Sequence, residues 1–503
     1  MNRLWLWTLL GLMIAGQALA QAPGITYYVS TAGSDTADGL TPQTALRTLA
    51  AAWQQIPMGV PLDMPVTVVM LPGVYTSEDA PNYWESRYGT ADAPITIRAD
   101  APNTVYLPTI NMFDVRHIRF VNLNIEVSEF DPFHCERCEH LLLDTMTIRG
   151  AAPETYATQE AVKINQSQHV HIRSSDISGG WDNAIDFVAV QYGSITGSAV
   201  HHAGDWCAYA KGGSAYIEVT GNTFHHCGTG GFTAGQGTGF QFMVPPWLQY
   251  EAYDVLIADN LFHDLEGAAV GVQGGYQVRV ARNLAVRVGR RSHVLEFTYG
   301  QRTCDGSPDD GDPVRANCAR YMQMGGWGTD ADSTTTDVFV AIPNRHVYVY
   351  DNLIYNPAPY QSQYQHFFIP GPYDGPGQAG SGLGLVRADD DLRIFNNVII
   401  NGDDAMSVGV EAGYGTPGCQ PDNPTCNLSQ LTADNAINSA SVAFAPAPDP
   451  AYVVISAQQQ ASPHPAFPPW DVPAPAPSQP LLPAPASGPL TFSVPADVLK
   501  TTP

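Results

Sequence analysis

The sequence predicts an all-β chain, a right-handed parallel β-helix solenoid with an N-terminal cap built from a short helix plus strands. Three observations carry that expectation. Short apolar segments with Asn, Asp or Gly at the bend recur, among them "HIRSSDIS", "YIEVTGNTFHH", "VLIADNLFHD" and "LRIFNNVIIN". No helix-length apolar period separates them, so each strand should meet its neighbour one coil away. The 46 Gly and 41 Pro among 503 residues favour turns over long helices.

Residues 1–20, "MNRLWLWTLLGLMIAGQALA", combine a basic start, a short apolar run and Ala18-Leu19-Ala20 as a cleavage signal. The expected product is secreted or periplasmic after cleavage near Ala20. Residues 21–115 read as the cap and first strands, with "TALRTLAAAW" as the helix. Residues 116–440 hold the solenoid. Its shared apolar position falls at Ile125, Ile148, Ile177, Val200, Phe224, Phe262, Ala285, Ile354 and Ile399, with a basic step of 23 residues. Longer steps mark insertions near 234–253 and 291–340. Asn222, Asn260, Asn283, Asn352 and Asn397 recur at one bend, where amides would stack and Asn tolerates a left-handed backbone. His201, His225 and His263 form a second column, read as stacked turn residues or as metal ligands. Residues 441–503 are Pro- and Ala-rich and read as a linker or loose tail.

A formal charge of −25 argues against nucleic acid and anionic membranes as partners. No later run is apolar enough to span a membrane. The eight cysteines lie as near neighbours, Cys135/Cys138, Cys207/Cys227, Cys304/Cys318 and Cys419/Cys426, which suits local disulfides in an exported chain. For the first pair zinc is the alternative, because "HCERCEH" adds His134 and His140.

Alternation along the coils places Lys163, Asp186 and Lys211 outward, in one column with a rise of roughly 4.8 Å per coil. Asp182, Asn183 and Glu160 fall beside it and, with Asp186, offer hard oxygen ligands suited to Ca²⁺. An ionic ladder is the alternative. A carboxylate partner would raise the pKa of Lys211, whereas a cation held there would lower it towards a neutral base. Gln236, Trp247 and Tyr250 in and after "GFTAGQG" suggest a groove with aromatic faces for sugar rings. Arg279, Arg287, Arg290, Arg291 and His293 concentrate positive charge suited to carboxylates, with Lys163 as a further contact.

With these residues in view, the chain resembles the secreted right-handed parallel β-helix proteins of the pectate-lyase-like superfamily over residues 26 to about 440. Locally, "WDNAID", then "AKGGS" and "GTGGFT", is similar to polysaccharide lyase family nine. That resemblance implies Lys211 as catalytic base and Asp182, Asn183, Asp186 and Glu160 as Ca²⁺ ligands. Asn183 stands where the family carries a carboxylate, and "GGFTAGQG" lacks the Arg expected of lyase family six. The implied activity is metal-assisted β-elimination on an acidic polysaccharide by a monomer. The other class is a non-catalytic β-helix that binds glycans or serves as an envelope component.

Overall fold

The computed structural model describes residues 24–127, 131–154, 160–303, 320–321, 323–325, 340–373, 385–403, 406, 410–411, 415–459, 464–477 and 488–500. The leader segment and the Cys304/Cys318 pair lie outside them. Three long parallel sheets wrap one core. Among the described residues sheet 1 has 12 strands, from Ile25–Val29 to Asp390–Phe395; sheet 2 has 12, from Gly73–Val74 to Ala436–Ile437; sheet 3 has 11, from Trp84–Glu85 to Val410–Glu411. A coil visits sheets 3, 1 and 2 in turn, as in Glu160–Asn165, Gln168–Arg173 and Asp176–Ser178, before Asn183–Val188 pairs beside the first of these. This is the parallel β-helix that the repeats predict.

Register follows the apolar repeat. Ile125, Ile148, Ile177, Val200, Phe224, Phe262, Ala285, Ile354 and Ile399 pair in unbroken sequence along sheet 2. All nine are buried. Each Ile, Val or Phe among them contributes about 1.5–3 kcal/mol on burial and Ala285 less, so a one-residue slip, which would turn a whole strand's core set outward, is strongly disfavoured.

The asparagine ladder runs from Asn222 through Asn260, Asn283, Asn352 and Asn397, each side-chain amide donating to the next oxygen at 2.8–3.0 Å. Asn435 adds a further rung at 2.8 Å. The left-handed residue is not the rung itself but the one before it: Gly221, Asp259, Arg282, Asp351 and Asn396 have φ of 53–67°. That residue makes the bend, and the amide that follows satisfies the carbonyls the bend leaves buried.

Coils begin earlier than the repeat suggests, since strands from Ile25 onward already belong to the three sheets. Irregular loops hide their period. The helix Leu49–Gln54, capped by Thr48, buries Leu49, Ala52 and Trp53 at this end, with Trp53 4.9 Å from Trp84.

The described parts of the tail are folded rather than loose. Val442–Pro446, Tyr452–Ala457 and Leu490–Pro495 form an antiparallel sheet. Its Ile455, Leu490 and Val494 cluster with Leu284, Val286, Leu353 and Val398 of sheet 2. Earlier coils carry polar residues such as Thr147 and Asp176 at these outward places, so only the later coils need a cover. Residues 464–477 lie along sheet 1, where the Phe467 ring packs at a tilt 4.4 Å from Tyr348 and the Tyr276 hydroxyl donates to Asp471 at 2.6 Å. Disulfides join Cys135–Cys138, Cys207–Cys227 and Cys419–Cys426, which excludes the thiolate zinc site. No helix among the described residues is long and apolar enough to cross a membrane.

Candidate active site

One outward column runs down sheet 3: Asn111, His134, Lys163, Asp186, Tyr209, Thr233, Gly271 and Glu296 pair in succession. Lys163 and Asp186 are neighbours as predicted, but Tyr209, not Lys211, stands beside Asp186. Lys211 pairs with Val188, two residues further on and on the same face. The extra length of this coil lies after Lys211, at Gly212 and Gly213 with φ of 67° and 82°, not before it.

Lys211 is held from two sides. Its Nζ donates to Gln236 Oε1 at 3.0 Å and lies 4.2 Å above the Tyr209 ring. Gln236 Nε2 in turn donates to Asp205 Oδ2 at 3.3 Å. The turn that follows is fixed by Glu251, whose Oε2 accepts from Gly212 N at 2.8 Å and from Thr238 at 2.9 Å. Glu251 is buried and paired with the buried Arg302 guanidinium. Trp206 covers the same face; a Cβ at Gly271 would sit 2.6 Å from its ring, so a side chain there would displace it.

Four carboxylates crowd this edge. Asp182 and Asp205 each precede a sheet 3 strand, in consecutive coils, and Asp205 N donates to Asp182 O at 2.6 Å. Burial, then the Asp205 charge, pushes Asp182 up to about 6, against Lys211. Burial, then Asp186, pushes Glu160 up to about 8, against Lys163. Asp186 is raised chiefly by burial, opposed by Lys211 and Lys163. Burial alone would lower Lys163, but Glu160 at 3.0 Å and Asp186 at 4.0 Å outweigh it and hold its pKa above the ordinary value. His134 is pushed down by burial and the Lys163 charge, and its Nδ1 meets Asn111 Oδ1 at 2.9 Å.

The oxygen set fits a hard cation. Asn183 is buried with neither side-chain polar atom hydrogen-bonded, and Asp186 Oδ1 is likewise buried without a partner. Such atoms cost free energy unless something satisfies them, and carboxylates with raised proton affinity are sites where a cation relieves repulsion.

Of the residues singled out from sequence, Glu160, Lys163, Asp182, Asn183, Asp186, Lys211 and Gln236 come together here. Arg290 and Arg291 lie on the same sheet 2 to sheet 3 edge further along, exposed and paired with Glu266. His293 follows them, buried, with Nε2 3.0 Å from Glu411. The others do not line this face. Trp247 is 6% and Tyr250 1% exposed, because the insertion's aromatics pack with Phe240, Met243 and Tyr253 into their own cluster. Arg279 is 1% exposed, bonded to Asp254 at 2.7 Å and covered by Phe467. Arg287 pairs with Asp264 at the end of sheet 2. Sequence reasoning missed Tyr209, Asp205 and Glu251, and it read His134 only as an alternative zinc ligand beside Cys135 and Cys138, whereas it stands in this column next to Lys163. The spacing of 23 residues between Asp182 and Asp205 was the available signal for one of them.

The family model for the right-handed β-helix region matches residues 133–295. No curated protein matches the chain. Among solved structures, a rhamnogalacturonan lyase is similar with a TM-score of 0.43 and 11% identity, covering 74% of this chain and 87% of its own. A GH136 lacto-N-biosidase from Eubacterium ramulus gives 0.43 and 12%, covering 77% and 66%. A pectate lyase gives 0.36 and 11%, covering 80% and 82%. The match over 133–295 spans the coils that hold Lys163, Asp186 and Lys211, and with the three stacked parallel sheets it makes the chain a right-handed parallel β-helix protein.

Proposed function

We propose that this is an exported polysaccharide lyase that cleaves a uronic-acid-containing polymer by β-elimination, with Lys211 as the base. The observation that supports it most is the meeting of Lys211 with Asp182, Asp186, Asp205 and Glu160 at one edge of sheet 3, beside the unpartnered oxygens of Asn183 and Asp186. Three local disulfides among the described residues support an oxidising compartment.

Asp182, Asn183 and Asp186, with Glu160 beside them, would hold Ca²⁺, which when bound neutralises a substrate carboxylate and acidifies the ring proton next to it. Lys211 in its neutral form takes that proton. The C–H electrons form a ring double bond, the glycosidic C–O bond breaks with its electron pair going to the oxygen, and that oxygen takes a proton from solvent water. Gln236 and the Tyr209 ring keep Nζ in place, which limits the orientations lost on reaching the transition state. Arg290 and Arg291 offer exposed guanidinium groups to further carboxylates along the same edge.

The test is a screen of purified protein against pectate, alginate and glycosaminoglycans, with and without Ca²⁺, following the ultraviolet absorbance of unsaturated uronide ends, alongside Lys211→Ala. Product that depends on Ca²⁺ and is lost in the variant supports the reading. Binding without product from any polymer favours a non-catalytic glycan-binding or envelope role. The Lys163–Glu160 pair at 3.0 Å is the observation on that side, since it ties up one cation internally.

A further inference from the structure

The histidine column is more than a stack. The stretches "VHHAG", "FHHCG" and "FHDLEG" place His-His, His-His and His-Asp at the same point of three consecutive coils. The first members, His201, His225 and His263, end sheet 2 strands in register. Their rings stack at 4.5 and 4.8 Å. The second members, His202, His226 and Asp264, have φ of 56°, 56° and 52°. That left-handed bend folds each second side chain back onto its neighbour. His201 Nδ1 and His202 Nδ1 are 2.6 Å apart, and His225 Nδ1 and His226 Nδ1 are 2.8 Å apart.

The surroundings prepare these nitrogens for a ligand's role. Asp176 Oδ1 lies 2.9 Å from His201 Nε2, and Asp176 is itself held by Arg149 at 2.7 and 3.0 Å. A carboxylate there favours the proton on Nε2 and leaves Nδ1 to accept from His202, the lone pair that a metal ion would take in its place, which is the arrangement that orients metal-bound imidazoles. At the far end Asp264 accepts from Arg287 and meets His263 Nδ1 at 2.8 Å, so an arginine–carboxylate pair closes each end of the column. The Cys207–Cys227 disulfide anchors the residue after His226.

We propose that His201, His202 and His225, with His226 alongside, bind a divalent transition metal ion of the kind imidazole favours, Zn²⁺, Ni²⁺ or Cu²⁺. One nitrogen from each of the three lies within 4.8 Å of the others. A tetrahedral ion at Zn–N distances of about 2.0–2.1 Å needs nitrogens about 3.3 Å apart, so the first pair must spread by less than about 1 Å and the His225 nitrogen, within 4.8 Å of them, must close by at most about 1.5 Å. His202 is exposed and has room to move. The ligands come from adjacent coils, so the ion ties one coil to the next. This site uses nitrogen donors on sheet 2 and is separate from the hard-oxygen edge of sheet 3.

The test uses chelator-stripped full-length protein. Zn²⁺ binding is read by equilibrium dialysis and by the rise in Tm, and Cu²⁺ coordination by electron paramagnetic resonance. The expected result is saturable binding, a higher Tm and nitrogen superhyperfine splitting from Cu²⁺. His202→Ala, at an exposed position, and His225→Phe, which keeps the stack, should both abolish these signals. Asp176→Asn should weaken Zn²⁺ affinity about 10- to 100-fold. Absence of binding at micromolar Zn²⁺ and Cu²⁺, or binding that both histidine variants retain, overturns the proposal.

Discussion

The Lys211 ammonium donates to Gln236 Oε1 at 3.0 Å, a neutral acceptor rather than a carboxylate. Gln236 therefore orients the amine through a neutral contact. If Lys211 is the base, Gln236→Glu puts an anion against it, favours the charged form and moves the rise of the pH–rate profile to higher pH. Lys211→Ala should lower turnover by about 10²- to 10⁴-fold, the usual worth of a general base. An unchanged profile in the glutamate variant would remove Lys211 from that role.

His366 supplies a pH dependence outside the candidate site. It is fully buried, accepts from Asn401 Nδ2 at 2.9 Å, and burial pushes its pKa down to about 4. Between about 6.5 and 4 the unfolded chain binds a proton that the folded chain refuses, so stability is lost as pH falls through that window, by about 3 kcal/mol in all. His366→Leu should flatten the Tm–pH curve between pH 7 and 4. A parallel curve would show that the ring is protonated in the folded state.

The ladder makes a graded prediction. Asn283 donates to Asn352 Oδ1 and Ile257 O and accepts from both nitrogens of Asn260. Asn283→Leu strands these buried partners, at about 1–3 kcal/mol each. Denaturant titration should show a large loss, greater than for Asn435→Leu at the ladder's end.

The antiparallel cover should be separable from the solenoid. Leu490→Asp puts a charge into the cluster over Leu284 and Leu353. The expected outcome is rapid proteolysis between residues 441 and 500 with the coils intact, together with dye binding to the bared face of sheet 2. Equal protease resistance in parent and variant would contradict that packing.

The fold was legible because the inward positions of sheet 2 repeat in sequence, and the Asn rungs and disulfide partners sit close to them. The site was partly legible. Lys163 and Asp186 were found because strict alternation fixes which side faces out. The neighbour of Asp186 was misplaced because sequence does not say whether a coil's extra residue falls before a strand or after it. Gly212 and Gly213 decided that. Trp247, Tyr250 and Arg279 looked like surface chemistry, but their burial depends on an insertion and on a tail that fold back from far along the chain, which no local pattern reports.

The rungs of the asparagine ladder are separated in sequence by 38, 23, 69, 45 and 38 residues, yet adjacent amides stay 2.8–3.0 Å apart. Loops of very different length thus leave the same joint untouched. For the evolution or redesign of this chain, the coil is the interchangeable part. A coil that brings an asparagine to the joint can be added or removed between two others with every buried amide still paired, and the loops it carries are free to change what the protein recognises.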